Sequence, residues 1–280
     1  MPTHLVWFRA DLRIHDNFAL AAACRAKDAN VLALFIATPE QWRQHDMAPR
    51  QVALLSAYLN DLQHSLAEKG IPLIYKEAHD FAAQRQTVQA ICQQHAVTHL
   101  YYNYQYEFNE QQRDRQLEKT LAGVVCEGFD DSVMLAPGSV MTGNHEMYKV
   151  FTPFKNAFIK RLKEGLPECV TAPTVRGETI TDLPAIRLNY PQQSFDETLF
   201  PASEKAAIAR LRQFCTQGAA EYEARRDFPA TEGTSRLSAC LALGALSPRQ
   251  CLHRLLAEQP QALDGGAGAV WLNELIWREF

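Results

Sequence analysis

The sequence lacks the cysteine patterns of a disulfide scaffold or a zinc site. Its seven cysteines are scattered, and no two of them are spaced Cys-x-x-Cys. An odd number of scattered cysteines is typical of reduced, mostly buried thiols in a cytosolic protein. The chain also has no convincing Ser–His–Asp set and no cluster with the spacing of metal ligands. We therefore expect no bound metal and no nucleophilic hydrolysis.

Signals for secretion and membrane insertion are missing as well. The first residues, MPTHLVWFRADLR, contain no long apolar core with a small-residue cleavage site, and no apolar run approaches the roughly 18 residues of a membrane span. The formal net charge of −4 argues against a generally basic nucleic-acid binder but is compatible with a local basic face. These absences predict a cytoplasmic protein with no membrane partner.

The glycine pattern of a dinucleotide-binding site is absent. No G-x-G-x-x-G follows the first apolar run, and the GGAGAV of residues 265–270 follows a polar segment instead of a strand. What the first half does contain is a series of short apolar runs typical of strands buried on both faces. We predict strands at residues 5–8, 31–37, 71–75, 99–104 and 124–129.

Helical patterns separate these strands. They lie at residues 17–26, 49–69, 80–95 and 109–122, with Pro49 at a helix start and Gly70 after a helix end. Alternating strands and helices predict a doubly wound, Rossmann-like parallel sheet of five strands, with ligands near the carboxyl ends of the strands. After the first strand, the alternating charges of RADLRIHDN favour a salt-bridged loop with Asp16 as a helix N-cap.

The second half of the sequence does not alternate strand and helix patterns. Prolines recur through residues 165–201, which predicts a long connector between domains, and every later pattern is helical. We expect an α/β domain at 1–135, a connector at 136–201 that includes an amphipathic helix at 151–163, and an all-α domain from 202 to 280. No cap follows the last predicted helix, so we expect this second domain to be incomplete. The predicted helices are 203–215, 219–225, 238–243, 247–258 and 267–280.

Asn109 and Glu110 follow the fourth predicted strand at a helix start, where an N-cap and a first-turn acid stabilise the helix. A carboxylate there also suits the paired N–H groups of a pterin edge. Helix capping alone is sufficient to explain the two residues, so they do not by themselves indicate a pterin site.

Two motifs in the helical half suit phosphates. In EGTSRLSACLALGALS, the hydroxyls of Thr234, Ser235 and Ser238 surround Arg236 at a predicted helix start, which fits either a diphosphate site or a simple cap. In EYEARRDFPA, Arg225 and Arg226 follow Tyr222. This pair suits nucleic-acid phosphates, or else a surface ion pair with Glu221 or Asp227.

The last stretch, WLNELIWREF, places Trp271, Glu274 and Arg278 on one helical face, with Trp277 on its edge. Buried charges are costly unless they are paired or hold a ligand, so this face suggests a binding site. The alternative is a surface helix with an ion pair between Glu274 and Arg278.

Taken in order, these motifs resemble the DNA photolyase and cryptochrome family. LVWFRADLRIHDN is similar to its first strand and loop, EGTSRLSACLALGALSPRQ to its flavin phosphate clamp, and WLNELIWREF to its helix facing flavin and lesion. The resemblance covers the whole chain and is strongest to bacterial class I cyclobutane pyrimidine dimer photolyases. Family members continue well beyond such a WREF, whereas this sequence ends there.

The resemblance implies cofactors and roles. FAD would be held by Thr234, Ser235, Arg236, Leu237 and Ser238, with Tyr222, Trp271 and Arg278. Methenyltetrahydrofolate, a light-harvesting antenna, would be held by His45, Asn109 and Glu110. Arg226 would bind the backbone of damaged DNA. Glu274 would accept hydrogen bonds from a base of the dimer, and Trp277 would stack on the dimer.

The implied activity is repair of pyrimidine dimers in DNA by a monomeric enzyme, through electron transfer from photoexcited reduced FAD. Two alternatives stay open. One is a cryptochrome-like blue-light sensor, and the other is an inactive fragment that keeps only antenna or nucleotide binding.

Overall fold

The first half of the chain forms one parallel sheet. The computed structural model describes residues 1–280, and its strand order is β3-β2-β1-β4-β5. All five predicted strands are confirmed, although the third begins later than predicted because the Ile71 amide donates to Leu66 O and closes the preceding helix. The strands are β1 (Thr3–Phe8), β2 (Asn30–Ala37), β3 (Leu73–Glu77), β4 (Val97–Asn103) and β5 (Val125–Phe129).

Helices cover both faces of this sheet, as the doubly wound prediction requires. The prediction that Asp16 caps the first helix is wrong, because the Asn17 side chain accepts from Leu20 N while Asp16 turns inward with φ at 54°. Asn109 is likewise no N-cap, since α5 begins one residue earlier, at Phe108. The flanking helices are α1 (Phe18–Ala23), α2 (Pro39–Gln44), α3 (Pro49–Ala67), α4 (Phe81–Gln94) and α5 (Phe108–Thr120).

The remaining elements are helical. Residues 165–203 contain no helix or strand, and the last helix ends at Trp277 instead of continuing to 280. No helix in the structure combines the length and apolar character that crossing a membrane requires. The helices are α6 (Phe151–Glu164), α7 (Glu204–Gln217), α8 (Tyr222–Arg225), α9 (Ser238–Ala242), α10 (Pro248–Glu258) and α11 (Ala269–Trp277), with a short 3-10 turn at Ala262–Asp264.

One hydrophobic core joins the sheet to the helical half. Val6 and Phe8 of β1 belong to the same buried cluster as Leu252 of α10 and Trp271 of α11. A smaller core, around Trp7, fills the other face of the sheet beneath α4 and α5. The apolar runs of β1 are therefore buried on both sides, and one side packs against the helices.

Buried ion pairs also connect the sheet to the helical half, at the junction between them. Arg249 of α10 lies 3.0 Å from both Asp16 and Asp131, and Arg13 lies 2.5 Å from Asp131. The Ser247 hydroxyl donates to Asp16 at 2.5 Å. These four charged side chains are at most 2% exposed, so each charge depends on the others for compensation. The salt-bridged loop expected after β1 is confirmed, and its partners come from distant parts of the chain.

Gly244 lies against the backbone of the loop after β1. Its φ is +67°, and a Cβ there would overlap the backbone of Ala10 and Asp11. Gly244→Ala should therefore lower the free energy of unfolding by about 1–3 kcal/mol through overpacking, beyond the cost of the left-handed backbone. Urea unfolding measures this change. Gly138→Ala is the control, because Gly138 has a φ of +82° and open space around its Cβ position. Equal losses in both variants would contradict a close contact.

Glu279, after the last helix, also connects the helical half to the segment after the sheet, and its contribution to stability depends on pH. Its carboxylate accepts from the Met134 amide, 3.0 Å away, and burial raises the pKa of Glu279 to about 7. The folded protein thus keeps a proton on Glu279 at pH values where the unfolded chain, with an ordinary pKa of 4.5, has lost it. The contribution of the protonated Glu279 to the free energy of unfolding is therefore complete below pH 4.5, and it is lost as the pH rises towards 7.

Glu279→Gln should remove this pH dependence. The stability difference between wild type and variant should change by at most about 1.4 kcal/mol per pH unit across that window and level off above it. Urea unfolding at intervals of pH measures the two profiles. Parallel profiles would show that Glu279 titrates normally in the folded protein.

Candidate functional site

The carboxyl ends of β1 and β4 mark the point where strand order reverses, and a cavity lies there. It has a volume of about 290 Å³ and is lined by Asp11, Asn103 and Tyr106 from the sheet side and by Arg278 from the end of α11. Asn103 donates to Asp11 at 2.6 Å, and burial raises the pKa of Asp11. The expected crevice is present, and Arg278 lines it instead of pairing with Glu274.

The three predicted antenna residues lie on this sheet domain. Asn109 and Glu110 occupy the first turn of α5, where Asn109 is exposed and Glu110 is half-buried. His45 is exposed at the carboxyl end of α2, and no hydrogen bond or ion pair joins it to the other two. Their common ligand remains a prediction.

A second cavity contains part of the predicted phosphate clamp. Thr234, Ser235 and Arg236 line a space of about 400 Å³ together with Arg210 and Arg225. Arg236 has a φ of 53°, so the clamp turn adopts a backbone conformation that is uncommon for residues other than glycine. Hydroxyls and guanidinium groups around one cavity can bind an anionic ligand.

The structure separates the other two clamp residues from this cavity. Leu237 is 1% exposed in the core and does not line this cavity. Ser238 begins α9 and lines a larger, mainly apolar cavity of about 810 Å³, beside Leu54 and Phe195. The residues of TSRLS thus border two spaces, and the predicted clamp is not one continuous surface here.

Phe214 connects the clamp cavity to α11. Its ring lines that cavity and lies 6.0 Å from the Tyr222 ring and 5.0 Å from the Trp271 ring. Trp271 is only 4% exposed and serves as a core residue in this structure. Phe214 is not among the residues predicted from the sequence, although its position on the apolar face of the predicted helix 203–215 was a signal that it faces the core.

Arg226 and Glu274 form an ion pair that the sequence analysis did not anticipate. The Arg226 guanidinium lies 2.5 Å from the Glu274 carboxylate, and both side chains are more than one-third exposed. Desolvation lowers the pKa of Arg226, but Glu274, Tyr222 and Asp227 together raise it, and the net shift is upward. The alternative pair between Glu274 and Arg278 is therefore wrong. Arg225 forms an ion pair with Glu221, at 3.2 Å, which is one of the surface ion pairs that the sequence analysis offered as an alternative to phosphate binding.

Trp277 completes an exposed strip with this pair. Its side chain is 50% exposed at the end of α11, three residues beyond Glu274. A phenylalanine ring, Phe151, stacks on it from the start of α6. The strip joins a cation, a carboxylate and a flat apolar ring, which together can bind a phosphate, accept hydrogen bonds and stack on an aromatic ligand.

Comparisons with known proteins agree with this arrangement. A family model described as DNA photolyase matches residues 4–173. The chain is 71% identical over 282 residues to the deoxyribodipyrimidine photo-lyase of Salmonella typhimurium, and 70% identical over 281 residues to that of Escherichia coli. Both alignments cover 100% of this chain and 60% of the relative.

Among solved structures, a cryptochrome from Synechocystis sp. PCC6803 superposes with a TM-score of 0.85 at 25% identity, over 100% of this chain and 60% of that one. The chain thus spans about 60% of the length of the relatives that it matches. The family model covers more than half of the chain, and the sheet and helices match a family structure throughout. This protein therefore belongs to the DNA photolyase family.

Proposed function

We propose that this protein serves the light-driven repair of cyclobutane pyrimidine dimers in DNA, as a cytosolic monomer. The observation that carries the proposal is the exposed strip formed by Arg226, Glu274 and Trp277. A DNA lesion offers a phosphate, base N–H groups and planar pyrimidine rings, and the strip has a complementary group for each. The 70% identity to a named deoxyribodipyrimidine photo-lyase supports the same reaction.

The diphosphate of FAD would bind in the clamp cavity. Thr234 and Ser235 supply hydroxyls there, and Arg236 supplies a guanidinium that a highly exposed carboxylate, Glu232, now contacts at 3.4 Å. An exposed ion pair of this kind contributes little stability, so a diphosphate can replace the carboxylate at low cost. Tyr222 and Trp271 pack against Phe214, which lines this cavity. Leu237, Ser238 and Arg278 lie outside the cavity and would contact FAD only where the cofactor extends beyond it.

The roles on DNA follow from the properties of each side chain. Arg226 would bind a backbone phosphate, which frees Glu274 to accept hydrogen bonds from a pyrimidine base. Trp277 would stack on the dimer once it leaves the duplex, and a dimer is already poorly stacked, so its extrusion costs less than that of a normal base. When bound, FAD supplies the electron that opens the cyclobutane ring and takes it back afterwards.

The antenna proposal concerns a separate part of the molecule. Methenyltetrahydrofolate would contact Asn109 and Glu110 on α5 and His45 after α2, with the Glu110 carboxylate accepting from the pterin edge. Support comes from the position of α5 directly after β4, at the switch point where ligands of parallel sheets bind.

A cryptochrome-like light sensor is the second candidate, favoured by the likeness to the Synechocystis structure. It would share the fold and FAD but would not distinguish damaged from undamaged DNA. Glu274 and Trp277 favour repair, because both groups suit an extruded base.

Binding of FAD is the first test. The purified protein, or the protein after FAD is added, should show bound-flavin absorption and quenched flavin fluorescence. Arg236→Ala should weaken FAD binding by about 1.5–3 kcal/mol, because it removes a charged hydrogen-bond donor to the diphosphate. Arg212→Ala is the control, since Arg212 lies on the exposed face of α7 and does not line the cavity. Equal affinities for the two variants would argue against the clamp.

Recognition of the lesion is the second test. Trp277→Ala should weaken binding to a thymine-dimer oligonucleotide by about 1–3 kcal/mol, because one base–indole stack is lost. Fluorescence anisotropy with labelled oligonucleotides measures the affinity. Trp42→Ala truncates an indole that packs against Tyr190 at the edge of the sheet domain and should leave DNA affinity unchanged. If Trp277→Ala binds the dimer as tightly as wild type, the stacking role is wrong.

A further inference from the structure

The Trp277 indole has one covered face. The Phe151 ring lies parallel to it, with ring centroids 3.6 Å apart and planes inclined by 8°. Phe280 meets both rings edge-on, with a centroid distance of 5.8 Å to each. Trp277 nevertheless stays 50% exposed, so the face opposite Phe151 is the one available to a ligand.

Both stacked rings are carried by anchored helices. Phe151 is the first residue of α6, and buried side chains of Phe154, Phe158 and Leu162 hold that helix against the core. Trp277 is the last residue of α11, directly after the buried Leu275 and Ile276. The orientation of the indole is thus set by the packing of two helices instead of by a loop.

We propose that Phe151 is a positioning residue for Trp277 in lesion binding. It holds the indole in one orientation, with the outer face ready to receive a pyrimidine ring of the dimer. An indole that moved among several rotamers would lose that freedom on binding, whereas an indole already stacked on Phe151 loses little. This inference rests on the proposed function, because the dimer is the ligand whose ring the free face would accept.

The test compares Phe151→Leu with Phe151→Tyr. Leucine keeps most of the apolar volume but removes the ring, whereas tyrosine keeps a ring that can stack. For each variant, affinity is measured for a thymine-dimer oligonucleotide and for the same sequence without damage. Phe151→Leu should reduce the ratio of the two affinities about 3- to 10-fold, and Phe151→Tyr should restore it.

Phe158→Leu is the matched control. Phe158 lies two helical turns away on α6, is 2% exposed and makes no ring contact with Trp277. Its substitution should lower the melting temperature without changing the affinity ratio. Equal reductions of the ratio in Phe158→Leu and Phe151→Leu would overturn the inference, because the effect would then reflect a weakened α6.

Two further measurements isolate the indole. Acrylamide quenching of the Trp277 fluorescence, taken as the difference from the same protein carrying Trp277→Phe, should increase in Phe151→Leu. In the Trp277→Ala background, Phe151→Leu should reduce the affinity ratio no further. An additional reduction there would overturn the positioning role.

The remaining outcomes separate this inference from the proposed function. If Trp277→Ala lowers the affinity ratio and Phe151→Leu does not, the positioning role is wrong and lesion stacking stands. If neither variant lowers the ratio, both the stacking role of Trp277 and the positioning role of Phe151 are wrong.

Discussion

The structure depends on a small set of buried charges where the sheet meets the helices. Asp16 and Asp131 come from loops of the sheet domain, Arg13 from the loop after β1, and Arg249 from α10. Removing one partner from such a network leaves an uncompensated buried charge, which typically costs about 3–5 kcal/mol. The network therefore favours one arrangement of the two halves over others that would bury the same apolar surface.

This fixed arrangement has consequences for the candidate site. The large core includes residues of both β1 and α11, so the helix that carries Glu274 and Trp277 shares one hydrophobic core with the sheet. At the same junction, Gly244 lies against the backbone of Ala10 and Asp11, and the Glu279 carboxylate accepts from the Met134 amide. Two of the three groups of the exposed strip, Glu274 and Trp277, are therefore carried by a helix that is anchored in this core.

The two charged groups of the exposed strip pair with each other when no ligand is bound. Arg226 and Glu274 neutralise each other across two segments of the chain, while Trp277 rests on Phe151. In the proposed function, a DNA phosphate that binds Arg226 would free the Glu274 carboxylate to accept from a base. In the structure without ligand, the two charges thus compensate each other, and the indole has one face covered and the other exposed.

The sequence by itself determined the five strands, most helices and the α/β-then-α order, because hydrophobic periodicity and helix-end residues are local signals. It also determined the family, through the long motifs around Thr234–Ser238 and Trp271–Phe280. It did not reveal that Asp16 is a buried ion partner instead of a helix cap, or that Glu274 pairs with Arg226 instead of Arg278. Nor did it reveal the stacking of Phe151 on Trp277. Only the tertiary structure decided these contacts, because each joins residues far apart in the chain whose approach is set by core packing and not by local pattern.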